Sequence, residues 1–281
     1  MIPILLDLKF IKIYTFGVFL VLAFFWGVFI LWKNYLLTAQ KEEEMFDAMF
    51  LSIAIGLFTG RLAYVIANFR DFGFDILKFI LINGYPGLSM YGFLFGAFLT
   101  LILYFSSKKK DFKSIIDYVI PSVFLSLSIG KLGSFLSGSE IGTKTKFFLS
   151  LTYSNIDSPR HLTSLYESLF FLFGFYLSYK LLFAIRRDVF PKGFGFYFLL
   201  WFFSLIYFVF DSLKTNKILI LGISVNSFFS LILLLTFSFF YVYHFRSLLF
   251  GKLKGIGNIK LKIYGKKDFK NRDKKNKGKT S

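Results

Sequence analysis

Seven long apolar blocks dominate the chain, at about residues 13–32, 47–69, 87–105, 116–136, 164–184, 194–213 and 218–245. A run of about 20 apolar residues crosses the hydrocarbon core of a bilayer as one helix. Backbone polar groups find no water there, so each block must satisfy its own hydrogen bonds by coiling. The expected fold is an all-α, polytopic membrane protein, with about seven transmembrane helices in residues 1–250 and a basic, solvated tail in residues 251–281. Composition agrees: 56% of the residues are hydrophobic and 43 are phenylalanine, more than the roughly half expected of a soluble domain. A shorter apolar piece, Ile76 to Ile82, cannot span and reads as an interfacial or re-entrant lead into the third block. The opening "MIPILLDLKFIKIYTF" lacks a basic start and a small-residue cleavage site, so it is expected to be retained.

Lysine and arginine collect on the cytoplasmic side of membrane proteins. "SSKKKDFK" (106–113), "IRRDVFPK" (185–192) and the tail beyond Arg246 share one side when the N-terminus lies outside. The expected topology is therefore N-terminus outside and tail in the cytoplasm. Much of the net charge of +18 lies in the tail. Attachment to anionic headgroups, at ~1 kcal/mol per base near the surface, is the alternative to simple solvation. No nucleic-acid partner is expected, because no nucleic-acid-binding fold accompanies the basic run. The absence of cysteine excludes disulfides, thiolate metal sites and a cysteine nucleophile. With only two histidines a histidine-rich metal centre is excluded too, and neither a metal nor a cofactor is expected.

Several charges fall within or beside the apolar blocks: Arg61, Asp117, Lys131, Glu167 and Asp211. A charge at mid-membrane costs ~2.5–3.5 kcal/mol on insertion scales, so it faces a cavity or a partner. Arg61 paired with Asp211 or Glu167 is the structural expectation. Convergence on one polar cavity is the functional one, and Lys131, His161, Glu167 and Asp211 all tend toward the outer leaflet. "NGYPGLSMYGFLFGAF" (83–98) adds glycines that allow close helix packing, and Ser89 and Tyr91 bring hydroxyls to the mouth of the third span. "DSPRHLTSLYES" (157–168) places Arg160 and His161 before a helix start, followed by Tyr166 and Glu167. That arrangement suits either a capped helix with an interfacial histidine or an anion site. "SIGKLGSFLSGSEIG" (128–142) is small and polar at the end of an apolar helix.

Together these stretches resemble the prolipoprotein diacylglyceryl transferase family, in order from about residue 13 to 235. The family's loop G-R-x-G-N-F-x-N-G-E-x-x-G, after an Asp and a Pro, is similar to the segment that keeps Asp117, Pro121, Gly130, Gly133, Phe135, Gly138 and Gly142. Its R-H-P-S-Q-L-Y-E resembles "RHLTSLYE" (Arg160 to Glu167). Its G-G-x-S-x-[HY]-G-G resembles "PGLSMYGF" (Pro86 to Phe93), and its G-x-R-x-x-Y resembles "TGRLAYV" with Arg61 and Tyr64. The chain departs at Lys131 for the loop arginine, Ser134 and Ser137 for two asparagines, and Ser139 for the glutamate, with Glu140 one place late. In the sixth span Tyr207 and Lys214 stand at the two family arginines, and Asp211 at the glutamate between them. Lysine keeps the charge of arginine and loses its two-pronged grip on phosphate.

The resemblance implies a bacterial cell-membrane enzyme that moves the diacylglyceryl group of phosphatidylglycerol to the lipobox cysteine thiol of a lipoprotein precursor. Its implied partners are phosphatidylglycerol, the precursor's signal peptide and membrane lipids. Such a reaction needs a base near the thiol and cations on the departing phosphate. The implied catalytic set is Tyr91, Lys131, His161 and Glu167. In it Lys131 meets phosphate with Arg61 or Arg160 in support, Tyr91 or His161 serves as base, and Glu167 orients the histidine. Arg61, Ser89, Ser134, Glu140, Arg160, Tyr166 and Asp211 complete the expected substrate-binding set. Two other readings stand beside this one: a family member that binds lipid or signal peptide without turnover, and an unrelated membrane transporter.

Overall fold

The computed structural model describes residues 2–7, 12–38, 40–81, 84–85, 87–152, 158–215, 217, 219–220 and 223–246. The expected basic tail and Pro86 lie outside the described residues. A short hairpin, β1 (Ile4–Asp7) and β2 (Lys12–Tyr14), precedes α1 (Thr15–Tyr35) and α2 (Glu42–Ala67). Two short helices follow, α3 (Phe69–Phe72) and α4 (Ile76–Ile80), then α5 (Met90–Ser107) and α6 (Phe112–Ser137). The strands β3 (Ser150–Leu151) and β4 (Arg160–His161) lead to α7 (Thr163–Arg186) and α8 (Phe194–Asp211). The hairpin β5 (Leu219–Ile220) and β6 (Ile223–Ser224) leads to α9 (Val225–Arg246).

Seven of these helices, α1, α2, α5, α6, α7, α8 and α9, are long and apolar enough to cross a membrane. The chain is a multi-pass, all-α membrane protein. The piece from Ile76 is a five-residue helix with no buried residue, as its length requires. The seventh block differs from expectation at its start. It was expected from about 218, yet β5 and β6 occupy 219–224 before α9 begins. Apolar composition alone cannot separate a short strand from the first turn of a helix.

Lipid tails are as apolar as the side chains, so packing and hydrogen bonds hold the helices together. The chief pairings are α2 with α5, α1 with α6, and α6 with α7, with α8 packed against α6 and α7. Small residues set the spacing. A Cβ on Gly96 of α5 would come within 1.9 Å of Thr59 Oγ1 on α2, and that hydroxyl also donates to the Gly92 carbonyl at 2.9 Å. Between α6 and α7, Ser128 and Ser168 exchange hydrogen bonds with each other's carbonyls at 2.9 and 2.8 Å. Beside them Phe124, Phe171, Phe202 and Ile206 form the aromatic centre of α6, α7 and α8. A second cluster of Leu31, Tyr35, Met45 and Phe105 joins α1, α2 and α5.

Asp117 is a fold residue. Its two oxygens accept the Gly193 and Gly195 N–H groups at 2.6 and 2.9 Å, so a carboxylate on α6 caps the start of α8. Consecutive spans alternate in direction, so this contact lies at the opposite end of the bundle from Lys131. The five intramembrane charges therefore do not share one cavity.

Candidate active site

The site is assembled by a loop. Helix α6 stops at Gly138, whose φ of 71° lets the backbone turn out of the helix. The chain then runs between two other segments. Thr143 N–H donates to the Leu213 carbonyl at 2.8 Å and Thr215 N–H to the Ile141 carbonyl at 3.2 Å. On the other side His161 N–H donates to the Thr143 carbonyl and Thr145 N–H to the Pro159 carbonyl, both at 3.0 Å. This ladder ties the exit of α6, the entry of α7 and the exit of α8 into one unit. Gly142 sits at its narrowest point, where a Cβ would lie 2.3 Å from the His161 carbonyl oxygen. The small residues of 138–142 answer to this close backbone approach.

Four charged side chains meet beneath the ladder. Lys131 Nζ lies 2.8 and 3.0 Å from the two Glu140 oxygens and 2.7 Å from Glu167 Oε2. Lys214 Nζ lies 2.6 Å from Glu167 Oε1 and 3.6 Å from Glu140 Oε2. Each carboxylate thus touches both ammoniums, and two positive charges balance two negative ones. Burying ions is costly unless they are paired, and here every charge has two ionic partners. Lys131 stands six residues before the end of α6, ~9 Å below it, and Glu167 stands in the second turn of α7. Exposure grades the quartet: the Glu167 side chain is 0% exposed, Lys131 and Lys214 are 10% and 11%, and Glu140 is 34%.

Tyr207 forms the floor. Its ring centre lies 5.5 Å from Lys131 Nζ and 5.0 Å from Lys214 Nζ, within reach of a cation–π attraction to both. Its hydroxyl donates to Met90 Sδ at 3.1 Å, beside Tyr91. The Tyr91 phenol lies within electrostatic range of Lys131, Glu167 and Asp211. Ser164, in the first turn of α7, donates to Glu140 Oε2 at 3.0 Å. Burial by itself would raise the Glu140 carboxyl. The Lys131 and Lys214 ammoniums, with hydrogen bonds from Lys131 and Ser164, outweigh it and hold the carboxyl down at about 2.

The other expected site residues bond to groups outside the quartet. Arg61 pairs with neither Asp211 nor Glu167. Its guanidinium donates to the carbonyls of Lys78, Phe79 and Gly87 at 2.6, 2.9 and 2.8 Å and stacks near Phe72. All three nitrogens are committed to fastening the 78–87 segment onto α2, which corrects the expectation of Arg61 as an ion-pair partner. Ser89 caps α5 by accepting the Gly92 N–H at 3.2 Å. Asp211 accepts from Asn226 Nδ2 and Ser227 Oγ at 3.2 and 2.6 Å, joining the end of α8 to the start of α9. Tyr166 donates its hydroxyl to the Leu149 carbonyl. Arg160 donates to the Gly142 carbonyl at 3.3 Å, and its Nε and the Nδ1 of His161 are buried without a hydrogen-bond partner among the described residues. Ser134 is buried, and its carbonyl accepts the Ser139 N–H and the Ser137 hydroxyl.

Lys214 and Tyr207 stand outside the expected site set. The resemblance placed them at the two arginines of the sixth span, a signal that the expected site set did not use. Only the turn after α8 brings that ammonium back over the ring. Two cavities of the molecule, of about 650 and 220 Å³, lie at the Asp117 end and do not include the quartet. Glu140 itself fills the space between the lysines.

Comparison with known proteins bears on the family to which the chain belongs. Residues 3–243 match the family model described as prolipoprotein diacylglyceryl transferase. The chain is 31% identical over 185 residues to the phosphatidylglycerol–prolipoprotein diacylglyceryl transferase of Clostridium tetani, covering 62% of this chain and 72% of that protein. It is 28% identical over 221 residues to the protein of the same name from Buchnera aphidicola, with coverages of 68% and 76%. The Idiomarina loihiensis protein of that name is 28% identical over 174 residues, 62% of each chain. The match runs through every span from α1 to α8 and nearly all of α9, and the chain belongs to the prolipoprotein diacylglyceryl transferase family.

Proposed function

We propose that this chain transfers the diacylglyceryl group of phosphatidylglycerol to the lipobox cysteine of a lipoprotein precursor, at the outer face of a bacterial cytoplasmic membrane. One observation carries the reading: two ammoniums from separate segments, Lys131 and Lys214, converge on one anion position at the end of the bundle away from the basic clusters at 106–113 and 185–192. The reaction forms a C–S bond as the glyceryl C–O bond breaks. The electron pair of that bond leaves on the phosphate oxygen of glycerol 1-phosphate, and the thiol proton passes to a base. Charge therefore develops on phosphate, where fixed cations in a water-poor site act most strongly. Lys131 and Lys214 fill that role, and Glu167 holds both in place. Tyr91, at the start of α5, is the group assigned to take or share the thiol proton. His161, packed between Phe147 and Tyr166 at the entry of α7, is the alternative. The signal peptide reaches the same end of the bundle from the bilayer. Complementation of a bacterium depleted of its own transferase tests the reading, with Lys131→Ala and Lys214→Ala alongside. Growth with the native chain and none with either variant is expected. The reading fails if the purified chain, in phosphatidylglycerol vesicles, transfers no labelled lipid to a lipobox peptide.

A further inference from the structure

We propose that Glu140 is a resident anion: its carboxylate holds the position that a substrate phosphate takes, and the headgroup must displace it to bind. This rests on the reading of Lys131 and Lys214 as phosphate ligands. The Glu140 carboxylate is held by donors of the kind that hold an oxyanion. Lys131 grips both oxygens, Lys214 approaches one, and the Ser164 hydroxyl donates to the same one. Ser164 is the second residue of α7, and no side chain caps that helix at Leu162. The positive end of the α7 dipole therefore lies toward the carboxylate that Ser164 binds.

Charge arithmetic fits an exchange. Two lysines and Glu167 leave one positive charge, which Glu140 neutralises. A phosphodiester carries one negative charge, so it replaces Glu140 without leaving a buried ion unbalanced. The two carboxylates are not equivalent in this. Glu167 is wholly buried on a helix and binds both lysines at 2.6 to 2.7 Å. Glu140 is partly exposed, lies just past the Gly138 turn, and its reach to Lys214 is long at 3.6 Å. It is the carboxylate able to leave. Competition by a tethered group lowers apparent affinity by the fraction of time the site is free, and removing that group restores it.

Glu140→Gln is therefore expected to bind glycerophosphoglycerol, a phosphodiester with one negative charge, about tenfold more tightly than the native protein, measured by calorimetry on the full chain in detergent. Its KM for phosphatidylglycerol falls in the same direction. Glu140→Asp, which keeps the charge on a shorter arm, is expected to fall between the two. The native chain gives a second readout: a water-soluble carbodiimide should label Glu140 faster when glycerophosphoglycerol saturates the site. Equal or weaker phosphate binding by Glu140→Gln, or protection of Glu140 from the carbodiimide by phosphate, overturns the proposal and leaves the phosphate site standing. If neither the native chain nor the variants bind glycerophosphoglycerol, the phosphate site and the proposal fall together.

Discussion

Glu167 has no exposure to solvent and is held by two ammoniums, each at less than 3 Å. Taking away its charge leaves Lys131 and Lys214 with Glu140 as their one shared carboxylate. Breaking a buried pair from one side costs about 3 kcal/mol or more. Glu167→Gln is expected to lose that much on equilibrium unfolding in detergent, and Lys131→Met combined with it to recover part of the loss. Glu140 contributes differently because its carboxyl is lowered from 4.5 to about 2, burial being outweighed by the two lysines. A carboxyl depressed in the folded state stabilises fully above its unfolded value and loses that contribution as pH falls. The native chain should therefore keep this contribution down to about pH 4.5 and lose it progressively between 4.5 and about 2. Glu140→Gln should remove that acid limb from the stability profile. Residue identity made both glutamates visible in the sequence as site candidates. Their partnership with Lys214 was not visible, because 83 positions separate Lys131 from Lys214 and no periodicity links a helix residue to a turn residue.

Helices in this protein are anchored at their ends by carboxylates of other helices. Asp117 on α6 caps α8, and Asp211 at the end of α8 holds the start of α9. These two residues looked like members of a polar cavity because a charge in an apolar block demands a partner. That demand was correctly read, but the partner proved to be backbone N–H groups in one case and side-chain donors in the other. A hydrogen bond to a charged group contributes about 1.5–3 kcal/mol. Asn at position 117 keeps one acceptor and turns its amide donor toward a second N–H. Asp117→Asn is expected to cost about 2 kcal/mol and to speed amide exchange at 193–196, with the 213–215 ladder unaffected. Uniform loss of protection throughout the protein would contradict the local role. Arg61 follows the same logic in reverse, as a cation satisfied by three carbonyls of a segment that folds back on α2.

Seven crossings put residues 2–7 and residue 246 on opposite sides, and the quartet and the basic clusters at opposite ends of the bundle. Lys110 and Glu44 pair at the cluster end, where α2 begins and α5 has just finished. We propose, from the positive-inside rule, that this end faces the cytoplasm. Green fluorescent protein fused after residue 246 should fluoresce, and alkaline phosphatase inserted after residue 146 should be active; the opposite pattern would invert the topology and place the quartet inside. The tail, residues 251–281, belongs by its lysines to the same cytoplasmic side under this proposal.

The sequence by itself determined the seven spans, the all-α class and the resemblance to a lipid-modifying family. Each of these follows from local composition and ordered motifs, which bilayer physics reads directly. Tertiary structure decided which charges meet. Whether a buried ion serves the fold or the chemistry depends on what lies across from it, and only the ladder of 141–145 between 159–161 and 213–215 brings Lys214 over Tyr207 and against Glu140 and Glu167.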